Sequence, residues 1–255
     1  MDIGDAASVM ACVRAAHPDL IINAAAYTAV DVAESDANTA RRINAEGPRH
    51  LASAAAESGA RLIHISTDFV FDGNASTPYR PDAAAHPLNV YGKTKRAGEE
   101  AVLERLAERS VVLRTAWVYA AEGRNFVRTM LRVMRSSGSV RVVADQIGTP
   151  TAARSVAGAI WRLAQMREVA GIHHWTDAGV ASWYDLAVAI AEEAAQLGLL
   201  SGEASVTPIA AREYPTPAQR PHYSVLDKQS LMELGIVPVH WRKNLRQVLR
   251  EIHDA

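Results

Sequence analysis

With 255 residues the chain is long enough for one large α/β domain, alone or with a small cap, and its 49% hydrophobic and 22% charged residues exclude collagen, coiled coil and intrinsic disorder. Lys and Arg total 27 against 28 Asp and Glu, and a net charge of −1 gives no general attraction to nucleic acid or to an anionic membrane. No run approaches the roughly 20 apolar residues that span a bilayer, and the first residues lack the stretches of a secretion signal. The single cysteine, Cys12, fits a reducing cytoplasm, and its Ala-rich helical surroundings predict a buried, inert thiol.

In chain order, 19–24 reads as a buried strand, 37–58 as one or two helices and 61–66 as the next strand. A turn-rich loop at 72–87 leads to a helix at 91–108, a strand at 111–115, a helix at 125–135 and a fourth strand at 140–143. Strands joined by crossover helices make a doubly wound parallel sheet, so residues 1–150 are expected to hold one and to present ligands at its strand C-terminal ends. Beyond 150 come helices at 152–167 and 182–197 with a short strand at 171–175 between them. A loop-rich stretch at 198–224 and two short helical patterns, 228–234 and 242–252, follow. With no flexible linker, 151–255 is expected to form a small substrate-binding subdomain interleaved with the first.

The chemistry concentrates at Tyr91 and Lys95. Their i, i+4 spacing puts phenol and ammonium on one helical face, and a nearby cation is expected to favour phenolate and lower the tyrosine pKa toward a general acid's working range. Alone, the spacing also describes an exposed aromatic beside a solvated lysine. Ser66-Thr67-Asp68 closes the preceding strand, where a hydroxyl can donate to a carbonyl oxygen; it is otherwise a turn cap. The small residues of 23–28 either admit a flat ligand to the backbone or pack a strand-to-helix corner. His173 and His174 alternate faces on a strand with no further spaced ligands, so no metal site is expected. Trp161 and Met166 read as core.

Eight segments carry a resemblance. They are Asn23-Ala24-Ala25-Ala26-Tyr27-Thr28-Ala29-Val30-Asp31, Ile65-Ser66-Thr67-Asp68-Phe69-Val70-Phe71-Asp72-Gly73, Pro87-Leu88-Asn89-Val90-Tyr91-Gly92 and Arg114-Thr115-Ala116-Trp117-Val118-Tyr119, followed by Asn125-Phe126-Val127, Asp145-Gln146-Ile147-Gly148-Thr149-Pro150-Thr151, Ser182-Trp183-Tyr184 and Arg220-Pro221-His222-Tyr223-Ser224-Val225-Leu226-Asp227. In this order the set resembles the dTDP-4-dehydrorhamnose reductase family, within the extended short-chain dehydrogenase/reductases.

The resemblance implies a Rossmann-like fold and reduction of the C4 ketone of dTDP-4-dehydro-L-rhamnose to dTDP-L-rhamnose by NADPH or NADH. By the same resemblance Tyr91 is the proton donor, Lys95 binds the nicotinamide ribose and tunes Tyr91, and Thr67 hydrogen-bonds the reacting oxygen. Asp68 contacts substrate and Trp117 packs against it, while Asp2 and Ile3 lie near the adenine and Ala25, Ala26 and Tyr27 line the dinucleotide. Some members use Mg²⁺ at a dimer contact, in the region of Glu192 and Glu193; the expected state is monomer or homodimer. Segment 220–227 resembles one near the substrate in the family, although an ordinary Arg220–Asp227 tie holding the final helices is the expected reading. Related readings are a nucleotide-sugar epimerase or dehydratase, or a non-catalytic binding protein such as the regulatory subunit of methionine adenosyltransferase.

Two departures are mild: Phe69 stands where tyrosine is common and Ala116 where serine is. A larger one is the absence of the family's opening strand, glycine-rich turn and helix N-terminus, about 40 residues that hold the pyrophosphate. The expectation is a chain shortened at its start, with Leu20, Ile21 and Ile22 on an unpaired sheet edge and weakened dinucleotide binding.

Overall fold

Asp5 accepts a hydrogen bond from the Ala7 amide and starts α1 (Ala6–Ala16) in the computed structural model, which describes residues 1–202 and 204–254. β1 (Leu20–Asn23) follows, then α2 (Val30–Ala33) and α3 (Ala37–Arg41). A π-helical turn, Arg42–Glu46, carries α3 into α4 (Gly47–Ser58), which stops at Gly59 in the left-handed conformation, φ 78°. β2 (Arg61–Thr67) leads through a long loop to α5 (Val90–Leu106), whose first turn is capped by Asn89, and β3 (Ser110–Thr115) comes next. β4 (Val118–Tyr119), α6 (Phe126–Ser137), β5 (Ser139–Val143), β6 (Ile147–Gly148) and β7 (Thr151–Ala152) precede α7 (Ala153–Gln165) and β8 (Gly171–His174). β9 (Ala181–Ser182) enters α8 (Trp183–Gln196) through a reciprocal Ser182–Asp185 capping box, and β10 (Ser205–Ile209), α9 (Gln229–Met232) and α10 (Trp241–His253) complete the order.

The main sheet is parallel with strand order β1-β2-β3-β8, and all six residues of β3 are buried, as both faces of a doubly wound sheet require. Leu62 and Val112 face α1, α4 and α5, while Ile63, Val111 and Leu113 face α7. The fourth strand is not 140–143, as the sequence suggested. β5 pairs with β10 in a separate two-stranded sheet, and β8 takes the place beside β3. In β5 only Val142 is buried and Arg141 turns out to Glu213, while β8, GIHH, pairs with Val111–Arg114 at the other edge of the main sheet and buries His174.

A second cluster gathers α6, α8 and α10 with Val142 of β5. The chain passes between the two more than once: α7 and β8 follow α6 and β5 but pack with the main sheet, as do Leu231 and Ile236. β1 forms one end of the described sheet, with Ile22 38% exposed. Two sequence expectations about the core are corrected. α1 buries only Val9 and Val13, so Cys12, one position off that narrow stripe, is exposed. Trp161 is 64% exposed because α7 turns Val156, Ala159, Ile160 and Leu163 inward; Met166 is partly buried against the same cluster. No helix of the described residues is long and apolar enough to cross a membrane.

Candidate active site

Thr67 is the last residue of β2, and Tyr91 lies in the first turn of α5, with Lys95 one turn further. Their proximity depends on Gly92: a Cβ there would lie 2.2 Å from the Phe69 carbonyl oxygen, so only glycine lets the start of α5 press onto the turn that follows β2. Tyr91 is buried and meets Phe69 edge-on at 5.6 Å, in a small cluster that includes Tyr27. Burial pushes the Tyr91 phenol up to about 12, with the Thr67 hydroxyl pulling it down and the Asp68 charge adding to the rise. The expected lowering by the lysine is therefore overturned. Lys95 is buried too and turns its Nζ to the Ile65 carbonyl oxygen at 2.6 Å; burial lowers its pKa to about 8, opposed by Glu99.

Glu99 continues the Tyr91, Lys95 face by one more turn and forms a buried two-bond pair with Arg114 of β3, Nε to Oε1 at 2.8 Å and Nη2 to Oε2 at 2.7 Å. Arg114 also lies over the Phe71 ring, 5.1 Å from its centroid, and neighbours His174 of β8. This pair fastens α5 to the centre of the sheet beneath the site. His174 is buried and His173 is half-buried, bonded to the Ser230 hydroxyl at 3.0 Å.

Asp68, expected at the substrate, is 2% exposed, and both of its carboxylate oxygens are engaged. Thr67 Oγ1 donates to Oδ1 at 3.1 Å and Ser224 Oγ donates to Oδ2 at 2.6 Å. Burial raises the Asp68 carboxyl to about 6 against the pull of these two hydroxyls. The Arg220–Asp227 tie is replaced by another: Arg220 reaches Asp31 through bonds of 2.8 and 3.0 Å, while Asp227 accepts from the Gln229 amide at the start of α9. The Ala218 amide also donates to Asp31 at 3.2 Å, so this stretch of chain folds back onto α2.

Of the residues expected to line a dinucleotide, Ala25 is exposed, with its amide donating to Asn23 Oδ1 at 3.2 Å, and Ala26 is half-buried. Tyr27 is clamped by a residue the sequence reading missed. Asn44, in the π-helical turn, accepts the Tyr27 amide at 2.8 Å, donates to the Tyr27 carbonyl at 3.0 Å and donates to Thr94 of α5 at 3.3 Å. An asparagine interrupting an Ala-rich helical run just before Gly47-Pro48 was the available signal. Asp2 is exposed and paired with Arg42 of the same turn at 2.9 Å, whereas Ile3 is buried under α4 against Gly47. Trp117 adopts φ 48° and stacks on Trp183 at 3.6 Å, with Phe126 against the far ring, so the start of α8 supplies the base of its platform. Trp183 was quoted only as part of a motif. Glu192 and Glu193 do not fit a cation here: Arg242 bonds both, and Arg246 bonds Glu193 at 2.7 Å.

A family model described as RmlD substrate binding domain matches residues 1–253. A dTDP-4-dehydrorhamnose reductase of Shigella flexneri is 41% identical over 256 residues, spanning 98% of this chain and 85% of the relative. The chain belongs to the dTDP-4-dehydrorhamnose reductase family. Among solved structures, the dTDP-4-dehydrorhamnose reductase of Clostridium acetobutylicum superposes with a TM-score of 0.93 at 37% identity, covering 99% of this chain and 87% of that one. The dTDP-4-dehydrorhamnose reductase of Bacillus anthracis, solved in complex with NADP, gives 0.91 at 34% identity, covering 98% and 87%. Members of the dTDP-4-dehydrorhamnose reductase family thus share this parallel sheet and its surrounding helices.

Proposed function

We propose that this protein reduces the C4 ketone of dTDP-4-dehydro-L-rhamnose to dTDP-L-rhamnose with NADPH, with Tyr91 as proton donor. The observation that carries the reading is the convergence of Thr67, Tyr91 and Lys95 at the end of β2 and the start of α5, where an open parallel sheet receives ligands. Relatives named for this reaction, one of them bound to NADP, favour that substrate and that cofactor.

The residues present fit a reduced dinucleotide. Among the described residues Lys95 Nζ makes one hydrogen bond, to the Ile65 carbonyl, and keeps two N–H donors for a ribose, while the exposed Ala25 and the Asn44-clamped Tyr27 offer a fixed ridge for it to lie on. When bound, the reduced nicotinamide supplies the hydride. Tyr91 stays protonated at neutral pH, since burial holds its phenol near 12, and it gives that proton to the oxygen as alkoxide character develops. Thr67, whose proton goes to Asp68, keeps a lone pair toward the Tyr91 phenol and orients it, and Lys95 steadies the ribose and the phenolate left on Tyr91. Trp117, stacked on Trp183, forms a wall against which the dTDP-sugar packs, between the main sheet and the second cluster.

The test is incubation of the protein with NADPH and dTDP-4-dehydro-L-rhamnose. The expected outcome is consumption of NADPH equal to the dTDP-L-rhamnose formed; no ketone-dependent consumption at saturating NADPH refutes the reading.

A further inference from the structure

The 216–224 segment crosses the C-terminal ends of the main sheet as a strap. Arg220 fastens it to Asp31, and Asn89, the cap of α5, donates to the Gln219 carbonyl at 2.7 Å. At its other end the Ile147 amide donates to the His222 carbonyl at 2.7 Å and the Ser224 amide to the Ile147 carbonyl at 2.8 Å. Gly73 makes room for it, since a Cβ there would lie 2.7 Å from the His222 nitrogen. Between these ties the Ser224 hydroxyl reaches Asp68, 156 residues away in sequence.

We propose that Asp68 and Ser224 are positioning residues, a carboxylate and a hydroxyl through which the seated strap fixes the Thr67 hydroxyl beside the Tyr91 phenol. The proposal rests on the reductase reading of Thr67 and Tyr91. A threonine hydroxyl has one proton and two lone pairs. Thr67 gives its proton to Asp68 and accepts the Phe69 amide at 3.2 Å, so its rotor is locked and one lone pair stays open to the site. Ser224 occupies the other Asp68 oxygen, which stops the carboxylate from turning away.

Asp68 faces the Thr67 hydroxyl on its own strand end, the Ser224 hydroxyl on the strap and the Tyr91 phenol on α5. No cation contacts it among the described residues. Both hydroxyls donate, so the tie needs the ionised carboxylate; with Asp68 held near 6, it is complete at neutral pH and weakens below that value. Because Ser224 lowers this pKa, its removal moves the carboxyl upward.

The experiment follows kcat between about pH 5 and about pH 8 in the unmodified protein, Ser224→Ala and Asp68→Asn. The expected parent profile falls below about pH 6. Ser224→Ala is expected to lose roughly tenfold in kcat at neutral pH, with the ketone KM within about twofold and the limb at higher pH; Asp68→Asn is expected to be slow and without the limb. A carbon-13 NMR titration of the Asp68 carboxyl reads the same contact without turnover and should show an upward shift in Ser224→Ala. An unshifted carboxyl, or an unchanged kcat profile in Ser224→Ala, overturns the proposal. If the carboxyl shifts while the unmodified protein reduces no ketone, the reductase reading fails and the positioning role falls with it. Should Ser224→Ala not fold, Ser224→Gly removes the same hydroxyl and is read in the same way: an upward-shifted carboxyl supports the tie and an unshifted one refutes it.

Discussion

Lys95 carries its charge into a buried site, and its chemistry follows from that placement. Burial lowers its pKa to about 8, so the ammonium is present below that value and lost above it. In the free protein kcat/KM is accordingly expected to be level between the Asp68 limb near pH 6 and about pH 8 and to fall beyond it, and Lys95→Gln is expected to be slow with that basic limb gone. An unchanged limb in Lys95→Gln would assign it elsewhere. Tyr91, Lys95 and Thr67 were legible in the sequence because helical spacing and a strand end are local properties. The direction of the Tyr91 pKa was not, because desolvation is set by what packs around the phenol and Lys95 turns to a backbone carbonyl. The contacts of Asn44 and Ser224 were not readable for a related reason: their partners lie 17, 50 and 156 residues away.

At the scale of elements, α5 is the piece that assembles the site, and two glycines let it do so. Gly92 sits against the Phe69 carbonyl, and Gly98 against the Asn44 carbonyl, where a Cβ would again lie at 2.2 Å. Gly92→Ala is expected to cost about 1–3 kcal/mol of stability and most of the turnover, because backbone rather than a flexible side chain must move and Tyr91 moves with it. Gly158→Ala on α7, with nothing within 4 Å, is the control and should stabilise by about 0.5–1 kcal/mol with kcat unchanged. Thermal melts and kcat of the two variants check this, and equal effects would remove the argument from close packing. Most helices and strands were readable from periodicity. The partner of each strand was less so: β5 is the more apolar of the two short runs, yet it is β8, GIHH, that pairs with β3, and strand pairing is not a local property of either run.

The whole molecule joins a doubly wound parallel sheet to a second cluster through a chain that crosses between them several times, so each region holds the other in place. The buried Glu99–Arg114 pair fastens α5 to β3 from below, and the 216–224 strap ties to Asp31 and Asp68 at the sheet's end. Between these two supports lies Tyr91, its phenol kept protonated by burial. The central claim is that this phenol supplies the proton for ketone reduction. Steady-state NADPH oxidation with dTDP-4-dehydro-L-rhamnose, measured for the unmodified protein and for Tyr91→Phe, tests it most directly. The account predicts a fall in kcat of about 10²–10⁴ with the ketone KM and the melting temperature nearly unchanged; a Tyr91→Phe protein that turns over as fast as its parent would contradict it.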